Sequence, residues 1–136
     1  MASAADAALI LASLELAGAR GGDLTGGVYA RLFAARPELE PLFVMDTDGA
    51  VRGEMLARAF EAIIDFVGPR AYADHLIGAE ATNHDGYNVP REAFAAFFRF
   101  IRDEVRALCG EAWSAETETA WDGLLAALDR YIDAPA

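Results

Sequence analysis

The stretch PREAFAAFFRFIRDEVRALCG, residues 90–110, decides the fold class. Its large apolar residues Phe94, Phe97, Phe98, Ile101, Val105 and Leu108 are separated by 3, 1, 3, 4 and 3 positions. Those intervals put the apolar side chains on one stripe of a helix. Pro90 suits a first helical turn, where its missing N–H is not needed, and Gly110 ends the pattern. Ser114 then stands where a helix N-cap is expected, and Glu116 and Glu118 place negative charge at the favourable end of the helix dipole. Trp121, Leu124, Leu125, Leu128 and Ile132 carry one apolar face towards the end of the chain.

Upstream the same periodicity recurs. Residues 4–20 form an Ala- and Leu-rich amphipathic segment that Gly21 and Gly22 terminate. Residues 23–36 form a second, with Val28, Tyr29, Leu32 and Phe33 on one stripe. Pro37 starts a short helical turn, PELEPLF, that runs to Phe43, and VMDTDGAV reads as a polar loop. Leu56, Ala59, Phe60, Ile63, Ile64 and Val67 mark a helix from about 50 to 67, which Gly68 and Pro69 stop. Another is expected over about 70–82, ending before His84. No run alternates with period two for long enough to form a strand, and no repeat or linker divides the chain. The expectation is a single all-α domain over residues 1–136, with helices of unequal length rather than a uniform heptad bundle.

Composition narrows the function. Hydrophobic residues make up 54% of the chain, enough to bury a core with space for a guest. The formal charge is −11, and all 11 basic residues are Arg. So acidic a surface repels phosphate backbones and anionic lipid, which argues against nucleic acid or a membrane as partner. The N-terminal apolar run lacks a basic start, is interrupted by Asp6 and Glu15, and is too short to span a bilayer. It reads as the first helix of a cytoplasmic protein. A phosphate loop of the Gly-rich type needs a Lys, and there is none. No Glu-x-x-His pair occurs, which excludes a di-iron bundle, and no Gly-x-Ser-x-Gly elbow occurs either. Asp46 and Asp48 read as carboxylates of a solvated turn.

The remaining chemistry concerns a metal. Cys109 is the only cysteine, and the two histidines are His75 and His84. A bare zinc or iron ion takes about three or four protein donors, more than these residues supply. A haem iron brings its porphyrin nitrogens and asks the protein for an axial ligand. His84, in the junction NHDGYNVPREAF at 83–94, is therefore either such a ligand or an ordinary helix-end histidine. His75 falls on an expected surface helix and reads as structural or solvated.

Three stretches together resemble the bacterial single-domain globins and the haem domain of flavohaemoglobins. VYARLFAARPELEPLF, residues 28–43, resembles the family's second helix and the turn bearing a haem-packing phenylalanine. RGEMLARAFEAI, residues 52–63, resembles the start of its distal helix, and HDGYNVPREAF, residues 84–94, its proximal histidine and following corner. Ala120 and Trp121 match the last helix. Phe43 follows Tyr29 by 14 positions and His84 follows Arg52 by 32, both typical spacings of that subfamily.

The resemblance implies a globin-like fold of about six to eight helices around haem b. His84 becomes the iron ligand, and Phe43 stacks on the porphyrin. Tyr29 points into the distal pocket and donates a hydrogen bond to the bound gas; the alternative is a core tyrosine bonded to a backbone carbonyl. Leu56 matches the apolar distal residue, while Tyr87 and Val89 match corner residues at the haem edge and proximal face. Phe97 and Phe98 floor the pocket. Arg52 stands where the family usually has Gln or His. It could bond a ligand or anion, but a haem propionate or solvent is favoured, because burying an unpaired guanidinium is costly.

Two departures bear on chemistry. The family often pairs the proximal histidine with a tyrosine and a glutamate, but Phe94 occupies the tyrosine position and Ala136 falls near the glutamate's. No flavin or nicotinamide domain is expected after the globin-like segment. The resemblance therefore implies reversible binding of oxygen, nitric oxide or carbon monoxide by a monomer or homodimer, for storage, delivery or scavenging. The alternatives are a nitric oxide dioxygenase served by a separate reductase and a haem-free globin-like sensor or interaction domain.

Overall fold

A computed structural model describes residues 3–86 and 89–133. Six α-helices carry the described chain: α1 (Ala4–Gly21), α2 (Thr25–Ala35), α3 (Ala50–Val67), α4 (Ala73–Gly86), α5 (Arg91–Cys109) and α6 (Ala115–Asp133). Two 3-10 segments, Pro37–Phe43 and Gly110–Ala112, join α2 to α3 and α5 to α6. The all-α expectation of six to eight helical elements is met, and among the described residues there is no strand.

Local chemistry sets the ends of these helices. Ser3 accepts a hydrogen bond from the Asp6 N–H at 3.0 Å, and Gly22, at φ 65°, ends α1. Ser114 caps α6 as its position predicted, accepting from the Thr117 N–H at 3.0 Å. The start of α4 depends on Asp65, which is only 5% exposed. Its carboxylate accepts the N–H groups of Ala71, Tyr72 and Ala73 at 3.0, 2.9 and 2.8 Å. Burial alone would push the Asp65 pKa up; these three donors outweigh it and hold the acid below the usual carboxylate range.

The helix α5 is the hub, packing against α1, α2, α4 and α6. Its predicted stripe divides in two. Phe98, Ile101 and Val105 are buried in the main core, whereas Phe94 and Phe97 are half-buried and turn towards a cavity. The predicted face of α6 is buried throughout and opens on the fully buried Trp121; the Trp121 Nε1–H donates to Ser13 Oγ at 3.0 Å, tying α6 to α1. Where α2 passes α5, Gly27 leaves space for a carboxylate: a Cβ there would stand 2.1 Å from Glu104 Oε2. Glu104 in turn accepts from Arg31 Nε at 3.1 Å.

Two expectations need correction. The fourth helix does not stop at 82 but runs to Gly86, so His84 lies within α4 rather than beyond it. Thr82, Asn83 and Gly86 are poor helix formers, which made an earlier end plausible. Tertiary burial overrides that preference: Ala73, Ile77 and Ala81, spaced four apart, are at most 1% exposed. The second concerns Asp46, which is not solvated but 8% exposed, and which caps α3 by accepting from the Val51 and Arg52 N–H groups, both at 3.0 Å. Asp48 does lie exposed in the turn, accepting from the Ala50 N–H.

Candidate functional site

The helices α3 and α5 diverge, with α3 packed mainly on α4 and α2. Between them, α2, the first 3-10 segment and α4 enclose a cavity of about 480 Å³. That volume falls in the range of small-molecule sites, ~300–1,000 Å³. Its lining is almost wholly apolar; the exceptions are Tyr29, Asp46, Arg58, Glu80 and His84. Phe94, Phe97 and Phe98 of α5 form the floor, and Leu42, Met45 and Val51 edge it although they are 54%, 88% and 55% exposed.

His84 and Tyr29 lie at opposite ends of that aromatic floor. The His84 ring centroid is 4.7 Å from that of Phe94, with the planes at 53°. Phe94 meets Phe98 at 5.8 Å, Phe98 meets Phe97 at 6.3 Å, and Phe97 meets Tyr29 at 5.4 Å. Because α4 continues past 82, the His84 Nδ1 reaches the backbone carbonyl of Glu80 one turn earlier, at 2.7 Å. A carbonyl oxygen can only accept, so Nδ1 carries the proton there. The neutral ring then keeps its free lone pair on Nε2, the atom able to bind a metal. No carboxylate side chain contacts the ring among the described residues.

Tyr29 shows the opposite condition. It is 2% exposed, and its hydroxyl is the one buried side-chain oxygen or nitrogen among the described residues without a hydrogen-bond partner. The alternative of a core tyrosine bonded to a backbone carbonyl is thus not what the structure has. Burial pushes the tyrosine's pKa well above its usual value; nearby Arg52 opposes the shift and Asp46 adds to it. The hydroxyl therefore stays protonated, on a residue whose side chain belongs to the cavity lining. Its ring is fixed by Phe43 in an edge contact at 5.4 Å and by Phe33 at 5.7 Å. An unpaired buried hydroxyl costs about 1–3 kcal/mol, so this position is a destabilised one until something accepts the bond.

Of the residues expected at the site, His84, Tyr29, Phe43, Val89, Phe97 and Phe98 all line the cavity. Tyr87 lies outside the described residues. Arg52 and Leu56 are not brought to it: Leu56, 2% exposed, belongs to the core, and Arg52 is tied to Asp46. On α3 the cavity face consists of Val51, Met55, Arg58, Ala59 and Ala62, one residue removed from the expected register. The spacing of 4, 3, 1 and 3 among those five carried the signal, but three of them are small or charged, and the resemblance pointed to Leu56 instead. Asp46 and Arg58 were likewise unmarked by any motif. His75 is exposed, as expected.

No protein-family model matches this chain, and no curated protein matches it. The chemistry must be read from the site. Among the described residues no three of His, Cys, Asp and Glu are grouped so as to hold a metal ion. No helix among them is long and apolar enough to cross a membrane. Buried Cys109 donates weakly to the Ser13 carbonyl, and burial pushes its thiol pKa up, so it offers no reactive thiolate.

Proposed function

We propose that this chain is a globin-like haem protein that binds a diatomic gas reversibly, with His84 as the iron ligand and Tyr29 as the donor to the gas. One observation carries the proposal. A single apolar cavity is lined, at separate ends, by a histidine whose Nε2 is left free by its backbone bond and by a tyrosine whose buried hydroxyl has no partner among the described residues.

The residues present fit a flat, largely apolar cofactor that brings most of its own iron ligands. A bare ion is not served, since the donors do not cluster. A porphyrin would need apolar faces, a nitrogen donor for its iron and cover at its edge. The α5 phenylalanines and Phe43 would supply the faces, His84 the nitrogen, and Leu42, Met45 and Val51 the apolar edge. Arg58 is the cation lining the cavity and is held only by an exposed pair with Glu54 at 3.5 Å, leaving it able to meet a carboxylate of the cofactor.

Haem, held by His84, would supply an iron able to take up a diatomic gas. The protein's part is to orient and to exclude water. Glu80 fixes the tautomer of His84, and Phe94 restrains the tilt of its ring. Tyr29, protonated across the accessible pH range, donates to a guest carrying partial negative charge, a bond worth about 1–1.5 kcal/mol.

Binding is favoured over nitric oxide dioxygenation by the histidine's surroundings. Phe94 stands beside it and its Nδ1–H goes to a backbone carbonyl, so among the described residues no carboxylate makes it more electron-donating. A dioxygenase served by a separate reductase is the second reading, and a haem-free sensor domain the third. Titration of the purified protein with haemin tests the proposal. A stoichiometric complex with a strong Soret band is expected, and its loss in His84→Ala; a protein that remains colourless overturns the first two readings together.

A further inference from the structure

Near Tyr29 lie two opposite charges that are bound to each other: Asp46 lines the same cavity, and Arg52 stands beside Phe33 and Phe43, whose rings pack on that of Tyr29. Asp46 Oδ1 accepts from the Val51 N–H and Oδ2 from the Arg52 N–H, both at 3.0 Å. Oδ2 also accepts from Arg52 Nε at 3.0 Å, and Arg52 Nη2 donates to the Asp46 carbonyl at 2.9 Å. The clasp closes a tight loop in which Gly49, at φ 77°, turns the chain back so that residue 46 meets the start of α3. Asp46 lines the cavity, whereas Arg52 lies outside it, in a shallow groove beside Phe33, Phe43 and Val44. The side chain of Asp46 is 4% exposed and that of Arg52 29%, so water screens this pair only in part.

The electrostatic consequence concerns what the cavity admits. The first turn of α3 brings to this corner its positive dipole end and the Val51 and Arg52 N–H groups, which have no helical acceptor and are met by Asp46. With the guanidinium alone added, that corner would carry more than one positive charge next to a hydroxyl donor, which is a site for an anion. Asp46 cancels the guanidinium and occupies the N–H groups. We propose that the Asp46–Arg52 clasp makes the Tyr29 end of the cavity selective for uncharged guests over small anions, and that opening it creates an anion site. The proposal rests on haem as the cavity's cofactor. Arg58 with Glu54, and Glu80 with His84, are the other charged or titratable side chains near the cavity; the variants below leave them unchanged.

Azide and carbon monoxide titrations of the haemin-loaded protein, ferric and ferrous respectively, test the proposal. Asp46→Asn should bind azide about tenfold more tightly, the effect of one incompletely screened charge, while the carbon monoxide affinity stays within about twofold. The double variant Asp46→Asn with Arg52→Gln should return azide affinity to the wild-type value, because the uncancelled cation is gone. Asn remains a good helix cap, so α3 is expected to persist; Arg52→Gln alone should lower azide affinity and keeps the test open if Asp46→Asn does not fold. Without haem, the Arg52 Nε–H should exchange slowly with solvent by NMR in the wild type and fast in Asp46→Asn. A loaded protein whose azide affinity is unchanged by Asp46→Asn overturns the clasp's role alone. A wild type that takes up no haemin overturns the haem reading and this role with it.

Discussion

Removing one oxygen atom from Tyr29 should stabilise the empty protein and weaken its hold on a gas. In Tyr29→Phe the ring keeps its contacts with Phe33, Phe43 and Phe97, so packing is conserved. What disappears is a hydroxyl on a residue 2% exposed, with no partner among the described residues. Relief of that desolvation should be worth about 1 kcal/mol, at the low end of the ~1–3 kcal/mol range for a buried unpaired polar group. For a domain of this size that raises the melting temperature of the haem-free protein by about 3–4 °C. In the haem-loaded protein the same change removes a hydrogen bond of about 1–1.5 kcal/mol to the gas, so oxygen should dissociate about tenfold faster. Calorimetry and stopped-flow oxygen release measure the two effects. Their opposite signs are the test. A variant that loses stability when empty, with an unchanged off-rate, would show that the hydroxyl already has a partner and does not serve the cavity.

The register of α3 gives a second prediction: Met55→Trp should obstruct the cavity and reduce haemin uptake, whereas Leu56→Ala should cost about 2–5 kcal/mol in urea unfolding with haemin affinity little changed. Acid unfolding supplies another. Asp46 and Asp65 are held below the usual carboxylate range, burial being outweighed by the N–H donors and, for Asp46, by Arg52. Groups with lowered folded-state pKa values stabilise fully above the unfolded value of about 4 and lose that contribution as pH falls through the folded one. Wild-type stability should therefore decline below about pH 4, and Asp65→Ala should be less stable at neutral pH and decline less steeply there; parallel declines would contradict the assignment.

The helices most clearly marked in the sequence were those whose burial is one-sided and whose ends carry strong signals. Phe98 to Val105 in α5 and Trp121 to Ile132 in α6 face the core at helical spacing, and Gly110 and Ser114 mark the boundary between them. The end of α4 was not legible because Ala73, Ile77 and Ala81 stabilise the helix through contacts with other segments, which local propensity cannot register. The cavity face of α3 was harder still. A shift of one residue on a helix turns a side chain by about 100°, and the resemblance assigned Leu56, a core residue, to the face that Met55 occupies. Asp46 looked like any turn aspartate, since its burial depends on Arg52 six positions later folding back. His84 and Tyr29 could be nominated from sequence, but their states could not: one ring nitrogen satisfied by Glu80, and one hydroxyl left without a partner.

The central claim is that the free Nε2 of His84 is the atom a haem iron needs from this protein. His84→Gly with added imidazole tests it most directly, because the substitution removes the ligand and leaves a space where the free ring can return. Haemin uptake and the Soret band of the six-helix protein should be lost in His84→Gly and recovered on titration with imidazole. A His84→Gly protein that takes up haemin with wild-type affinity and spectrum, without imidazole, would contradict the account.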